Sequence, residues 1–327
     1  LPWVLLAVLL AAVGLAACGD DEAADADADA DAGAVTDAST PTSDSFPVTI
    51  EHKFGETTIE EEPERVVAVG WNDQEAVLAL GVTPVGMRDW FEEYPELPWV
   101  AERLDGAEVQ LVGSEVDPES VVAMEPDLIL AIYDTVDQDT YDTYSAIAPT
   151  VVQSDEFADE ETPWQEQTLL TGQALGRSEQ AEALVDELEA ELAEAREENP
   201  DFADLTLVAN FYPDFVAGEH WLLADGDPRR SLFDALGFQA QEERDAVSLE
   251  QSSLLDRDVL VVNGASEEEW AEQPVVADLG VVTEGRTVFV PDDSEVSAAL
   301  AYGSVLSIEH ALHELLPQLR DAADAAA

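Results

Sequence analysis

The sequence predicts an α/β fold of two lobes, each with a mostly parallel sheet flanked by helices, the lobes being bridged by a single long helix. Three observations predict it. Past Phe46, short β-branched runs alternate with helical patterns, as βαβ units and parallel sheets require. One amphipathic stripe of about 20 residues, enough for roughly 30 Å of helix, stands between an earlier and a later group of strands. Finally, Glu119-Ser-Val-Val-Ala-Met-Glu-Pro-Asp127-Leu-Ile-Leu in the first half parallels Glu250-Gln-Ser-Ser-Leu-Leu-Asp-Arg-Asp258-Val-Leu-Val in the second, so two related lobes are the economical explanation.

The chain has 327 residues, 46% of them hydrophobic, which suffices for two lobes with their own cores. Its 74 Asp and Glu oppose 12 Lys and Arg, for a formal net charge of −62. Polyphosphate would be repelled over most of such a surface, which excludes nucleic acid as a general partner. The only lysine is Lys53, and the acidic excess continues through the folded part. This balance suits a high-salt habitat, where screening tames self-repulsion.

Residues 1–18 read as a lipoprotein signal peptide: an apolar run too short to span a membrane comfortably, closing on Leu15-Ala16-Ala17-Cys18 with the only cysteine of the chain. A thiolate is the nucleophile that takes a lipid group, so Cys18 is the expected lipidation site and first mature residue. No Met or basic stretch precedes the apolar run, so the sequence is expected to begin inside the signal. Residues 19–45, rich in Asp and Ala, lack apolar periodicity and read as a disordered acidic tether.

In the folded part the clearest strand runs are Val66 to Val69, Leu128 to Ala131, Leu205 to Phe211, Val259 to Asn263 and Thr287 to Val290. Thr162-Pro163-Trp164-Gln165 predicts a capping box opening a helix that stops at Gly176. A second helix starts at Ser178, carries Ala181, Leu184, Val185, Leu188, Leu192 and Ala195 on one face, and ends before Pro200. Ala79-Leu80-Gly81 and Ala235-Leu236-Gly237 each end a helix on a glycine cap. The expected organisation is an N-terminal α/β lobe at 46–161, connecting helices at 162–199 and a C-terminal α/β lobe at 200–327, with little lobe motion because the connector is a stiff helix.

These residues resemble the iron-siderophore and cobalamin family of periplasmic binding proteins, of class III, from about Phe46 to Ala322. The carrying motifs are Pro63-Glu64-Arg65-Val66-Val67-Ala68, Ala76 to Pro84, Glu125-Pro126-Asp127-Leu128-Ile129, Ile147-Ala148-Pro149-Thr150 and Pro163-Trp164-Gln165-Glu166-Gln167. The resemblance implies a shallow inter-lobe cleft at the strand ends. It also implies a monomeric lipoprotein that delivers its ligand to an ABC permease dimer with its ATPase. Glu119 and Glu250 match the family's rim glutamates that form salt bridges with permease arginines.

A ferric siderophore needs aromatic faces for its organic shell and guanidinium donors for iron-bound oxygens. Arg88 and Trp71 follow the first strands, with Trp90 beside Arg88. Tyr133, Tyr212, Trp270 and Tyr302 stand at later strand ends. Arg229-Arg230 follow Asp227-Pro228 at a helix start, where positive charge opposes the macrodipole and calls for an anionic partner, so Arg230 joins the ligand candidates. Aromatic walls suit cobalamin or haem as well, and a partner-binding lipoprotein outside transport is the remaining alternative.

An enzyme reading finds no nucleophile elbow, phosphate loop or dinucleotide fingerprint, and no cofactor is expected beyond the Fe(III)-siderophore ligand. His310 and His313 lie three apart near Glu309 and Glu314, but the reading assigns them no metal.

Overall fold

Both sheets bury both of their faces, which is why their central strands read as unbroken apolar runs instead of alternating ones. The computed structural model describes residues 44–88, 94–243 and 245–327, all within one compact unit, Pro41–Ala327. Cys18, Trp90, the signal and most of the tether lie outside the described residues.

The chain opens with an antiparallel hairpin, β1 (Val48–His52) and β2 (Gly55–Ile59). A parallel sheet follows from β3 (Val66–Ala68), β4 (Gly86–Met87), β5 (Gln110–Leu111), β6 (Leu128–Ala131) and β7 (Thr150–Val152), in the order β5-β4-β3-β6-β7. Val66, Leu128 and Leu130 point into one apolar cluster and Val67, Ile129 and Ala131 into another, the period-two alternation of a sheet covered on both sides.

The later sheet holds β8 (Thr206–Phe211), β9 (Glu219–Leu223), β10 (Gln239–Ala240), β11 (Asp245–Ser248), β12 (Val259–Asn263) and β13 (Thr287–Val290). Its order is β11-β9-β8-β12-β13, with β10 also on β8. Strands β8, β10, β12 and β13 are parallel, whereas β9 and β11 are antiparallel additions at one edge.

The internal repeat has a structural counterpart. Asp127 accepts the backbone N–H groups of Glu64 and Arg65 at 2.9 and 2.8 Å, fixing the entry to β3. Asp258 accepts the N–H of Thr206 at 2.8 Å, fixing the entry to β8. Glu119 and Glu250 are each the second residue of a helix whose N-cap, Asp117 or Ser248, accepts their own backbone N–H. Gly81 and Gly237 take φ of 74° and 97° past their helices, conformations that glycine adopts without Cβ strain.

The helix Trp164–Ala174 departs from the expected capping box. Pro163 is the N-cap in an extended conformation and no side chain caps the end; instead the Gln167 amide donates back to the Thr162 carbonyl at 2.7 Å. The helix Ser178–Glu198 follows. Its Ala181 packs with the first-lobe core, while Val185, Leu188, Leu192 and Ala195 belong to a larger cluster shared by both lobes. That cluster also holds Leu78, Trp99 and Val100 from the first lobe, Val261 and Val288 from the second sheet, and Leu306, Leu312 and Leu315 from the last helix, Val305–Ala326. The lobes therefore share an apolar core as well as a connector. No helix among the described residues is long and apolar enough to cross a membrane.

Within that shared core lies a carboxylate. Glu75, in the fully buried helix Asp73–Ala79, accepts the indole N–H of Trp99 at 2.8 Å, the Tyr94 hydroxyl at 3.5 Å and the backbone N–H of Ser307 at 3.1 Å. Ser307 sits in the first turn of the last helix, where N–H groups lack intrahelical acceptors and the dipole favours negative charge. Burial nonetheless outweighs these donors and pushes the Glu75 carboxyl up to about 7. Asp73, accepting the N–H groups of Ile132 and Tyr133 at 2.8 and 3.0 Å, is pushed up to about 6 by the same cause.

Because the folded value of Glu75 exceeds the unfolded 4.5, its protonated form supports folding fully below that pH, and the support is lost as pH rises through about 7. Denaturant unfolding in high salt should show the parent losing about 3 kcal/mol relative to Glu75→Gln between about pH 4.5 and about pH 8. Parallel pH curves for the two proteins would contradict this assignment.

Candidate functional site

In open α/β sheets, ligands bind outside the carboxyl ends of the strands, and here those ends of both sheets meet. Trp71 follows β3, Arg88 follows β4, Tyr133 follows β6, Tyr212 follows β8 and Asp292 follows β13. The lobes touch directly, since the Asn72 amide donates to the Tyr302 carbonyl at 2.7 Å.

On the first-lobe side the Arg88 guanidinium lies 3.4 Å from the centroid of the Trp71 ring. Arg88 is only 7% exposed. It donates to the Ser114 carbonyl at 3.1 and 2.6 Å and to the Val69 carbonyl at 3.1 Å, and pairs with Asp134 at 3.1 Å. These contacts set the Trp71 face and leave little of the guanidinium for a ligand oxygen. Glu160, with φ of 59°, accepts the Trp71 indole N–H at 3.3 Å and the Thr135 hydroxyl at 3.0 Å. Tyr133 is buried, which drives its phenol well above the ordinary range, and it lies within electrostatic reach of Arg229 and Asp227 across the cleft.

On the second-lobe side, Asp227 grips Arg229 with both oxygens, at 2.9 and 2.7 Å, and also accepts the Arg229 backbone N–H at 3.0 Å. The guanidinium carbon stands 5.1 Å from the Phe211 ring centroid, close enough for cation–π attraction. Tyr212 adopts φ of 46° and shares a hydrogen bond with the Ser297 hydroxyl at 2.9 Å. Its ring lies across Gly264, where a Cβ would come within 2.6 Å. Burial pushes the Tyr212 phenol up to about 12.

Three candidates sit elsewhere. Arg230 is completely buried, ion-paired with Asp234 at 2.7 Å and donating to the carbonyls of Leu207 and Gln239 at 3.0 and 3.3 Å. Adjacent residues at a helix start point in different directions, so Arg229 faces the cleft while Arg230 turns to the sheet. Trp270 is fully buried among Phe215, His220 and Phe289, and Tyr302 packs its ring on Tyr94 with centroids 4.7 Å apart. In both cases the apolar ring is taken up by the core instead of the cleft. Arg229 and Phe211 belong to the Arg229-Arg230 and Phe211-Tyr212 pairs that the sequence singles out, although Phe211 is itself buried. No composition signal distinguishes Glu160 among so many acids.

Two grooves border the second lobe. One of about 510 Å³ lies between the connecting helices and the second lobe, lined by Pro163, Trp164, Gln165, Arg196, Asp227 and Pro228. The other, about 320 Å³, is lined by Leu97 and Asp292 to Glu295. Both volumes fall in the range of small-ligand sites. Among the described residues no group of three or more side chains could hold a metal; His310 stacks on Trp99 at 4.6 Å and His313 meets Glu191 at 2.6 Å.

A sequence-family model described as "Periplasmic binding protein" matches residues 66–293. The chain belongs to this periplasmic binding protein family. Members of the family bind solutes and are not enzymes. Among curated relatives, the Fe(3+)-citrate-binding protein YfmC of Bacillus subtilis is 29% identical over 252 residues, 72% of this chain and 76% of that protein. A periplasmic solute binding protein of Mycobacterium smegmatis superposes with a TM-score of 0.77 at 29% identity, covering 84% of this chain and 98% of the other. PiaA of Streptococcus pneumoniae, solved with ferrichrome, has a TM-score of 0.73 at 23% identity, covering 86% and 100%; at that identity the likeness speaks to the fold alone.

The two adjacent arginines separate by experiment. Arg230→Ala removes the guanidinium held by partly buried Asp234 and two carbonyls from the interior and should lower unfolding free energy by about 3 kcal/mol or more. Arg229→Ala, at a partly exposed pair, should cost less, about 1 to 2 kcal/mol. Equal losses in denaturant unfolding would reverse the assignment of which arginine faces the cleft.

Proposed function

We propose that this periplasmic binding protein is the extracytoplasmic component of an ABC importer that captures a ferric siderophore between its lobes. The observation that carries the reading is the strand-end cleft. Trp71 and Tyr212 are the partly exposed rings that can meet a bulky organic shell, buried Tyr133 and Phe211 back them, and Arg229 is placed beside them by Asp227. The relative named for ferric citrate supports ferric chelates as the ligand class. The protein acts as a monomer, with lobes at 46–161 and 200–327 joined by the helices of 162–199, and is tethered to the membrane by lipid on Cys18.

Docking to the permease dimer falls to Glu119 and Glu250. Both are exposed, neither is in an ion pair among the described residues, and both occupy the same position relative to a capped helix and a strand-anchoring aspartate. Two equivalent free carboxylates, one per lobe, suit a partner with a matching pseudo-twofold arrangement of arginines.

A tryptophan-fluorescence titration of the full chain in high salt, using its seven tryptophans, should show saturable submicromolar quenching by a ferric siderophore. Arg229→Ala should weaken it about tenfold or more. Binding of cobalamin or haem with silence towards every ferric chelate would move the reading to those ligands. Glu119→Arg with Glu250→Arg should leave the titration unchanged and abolish uptake in cells; unaltered uptake would remove the docking role.

A further inference from the structure

The charges of the cleft discriminate between classes of ferric chelate, an inference that rests on the siderophore reading above. Several cations among the described residues are spent elsewhere. Arg65 and Arg286 hold main-chain carbonyls at the amino ends of the strands, Arg230 is in the core, and Arg320 pairs with Glu198 at the end of the connecting helix. Arg88 and Arg229 stand directly at the carboxyl ends of the strands and both are already neutralised; Lys53, beside the end of β7, is paired with Asp159, and Arg196 lines the first groove together with Asp227. Asp134 sits 3.1 Å from Arg88, and Asp227 grips Arg229 in a two-pronged pair.

The carboxylates Glu160 and Asp292 are in no direct ion pair among the described residues, and Glu160 feels a cation only through Arg229. Glu160 accepts from two neutral donors, the Trp71 indole and the Thr135 hydroxyl, and its charge is felt by both Tyr133 and Arg229. Asp292 lies beside the Tyr212 phenol and lines the second groove with Asp293 and Glu295. An anionic chelate would have to break an arginine pair and then lie against these carboxylates in a partly dehydrated cleft, where like charges are poorly screened. It would also have to approach against the field of a chain carrying −62. A neutral chelate meets only aromatic faces and hydrogen-bonding groups, and a cationic one gains from Glu160, Asp292 and the aromatic faces together.

We propose that the cleft selects ferric complexes of zero or positive net charge, the trihydroxamate type, and rejects tricatecholate and citrate complexes. This sets the chain apart from its relative named for ferric citrate.

The test is a competition titration of the full chain with four iron-loaded probes at low and high salt. They are a neutral cyclic trihydroxamate, a linear trihydroxamate bearing a free ammonium group, a trianionic tricatecholate, and citrate. Both hydroxamates should bind at least about a hundredfold more tightly than either anion, a gap of the size that one or two uncompensated charges produce in a half-buried site. Added salt should weaken the cationic complex alone. Glu160→Gln should lower the ratio of cationic to neutral affinity about tenfold, and Asp227→Asn, which frees Arg229, should raise the affinity for the anions. Anions binding as tightly as hydroxamates, or an affinity ratio unmoved by Glu160→Gln, would overturn the charge selection while leaving the siderophore reading intact. Failure of all four probes to bind would overturn the siderophore reading and this inference with it.

Discussion

The carboxylate of Glu75 sits where three helices from different parts of the chain converge, and the relation of the two lobes depends on how it is satisfied. Its oxygens take an indole N–H from Trp99 and the first-turn N–H of Ser307, so the last helix starts against a first-lobe residue. A buried carboxylate with fixed donors has few acceptable geometries, and the surrounding apolar cluster takes its shape from that point. Leu78 and Val100 then meet Leu306 and Leu312 in one interior. The helix Ser178–Glu198 fastens the other side with its buried stripe.

From that junction outward, each lobe repeats the same local solution. Asp127 and Asp258 pin the entry of a central strand, which sets where that strand ends and therefore which residues reach the cleft. Glu119 and Glu250 are exposed at the starts of the helices that precede these aspartates. Those helix starts lie on the carboxyl side of the strands, near Ser114 and Gly218, so the cleft and the two carboxylates share one end of each sheet.

Much of this was legible in the residues. The five predicted strand runs form within a residue or two of their expected limits, because β-branched apolar runs leave few alternatives to a doubly covered strand. The long amphipathic helix follows its periodicity from Ser178 to Glu198. Strands of two or three residues, such as β4, β5 and β10, carry no period to read, and the hairpin β1–β2 mixes Thr and Glu without a clear apolar face. The capping box failed because Pro163 is held extended ahead of the helix. Site residues were harder. Position at a strand end fixes a neighbourhood and not the direction of a side chain, so Trp270 and Tyr302 went to the core and Arg230 turned away from its neighbour Arg229. Buried Asp73 and Glu75 left no trace in a sequence where acids are everywhere.

The shared apolar core has a consequence for turnover. A receptor whose halves swing apart on a hinge announces its cargo by changing silhouette. Here the halves share the core of Leu78, Trp99, Val261 and Leu312, and on the proposed reading the loaded and empty forms would present nearly the same outline. The transporter must then distinguish them by touching the cargo itself at the mouth of the cleft. The work of unloading falls on the machinery that grips the receptor, because no spring is stored in the receptor to do it.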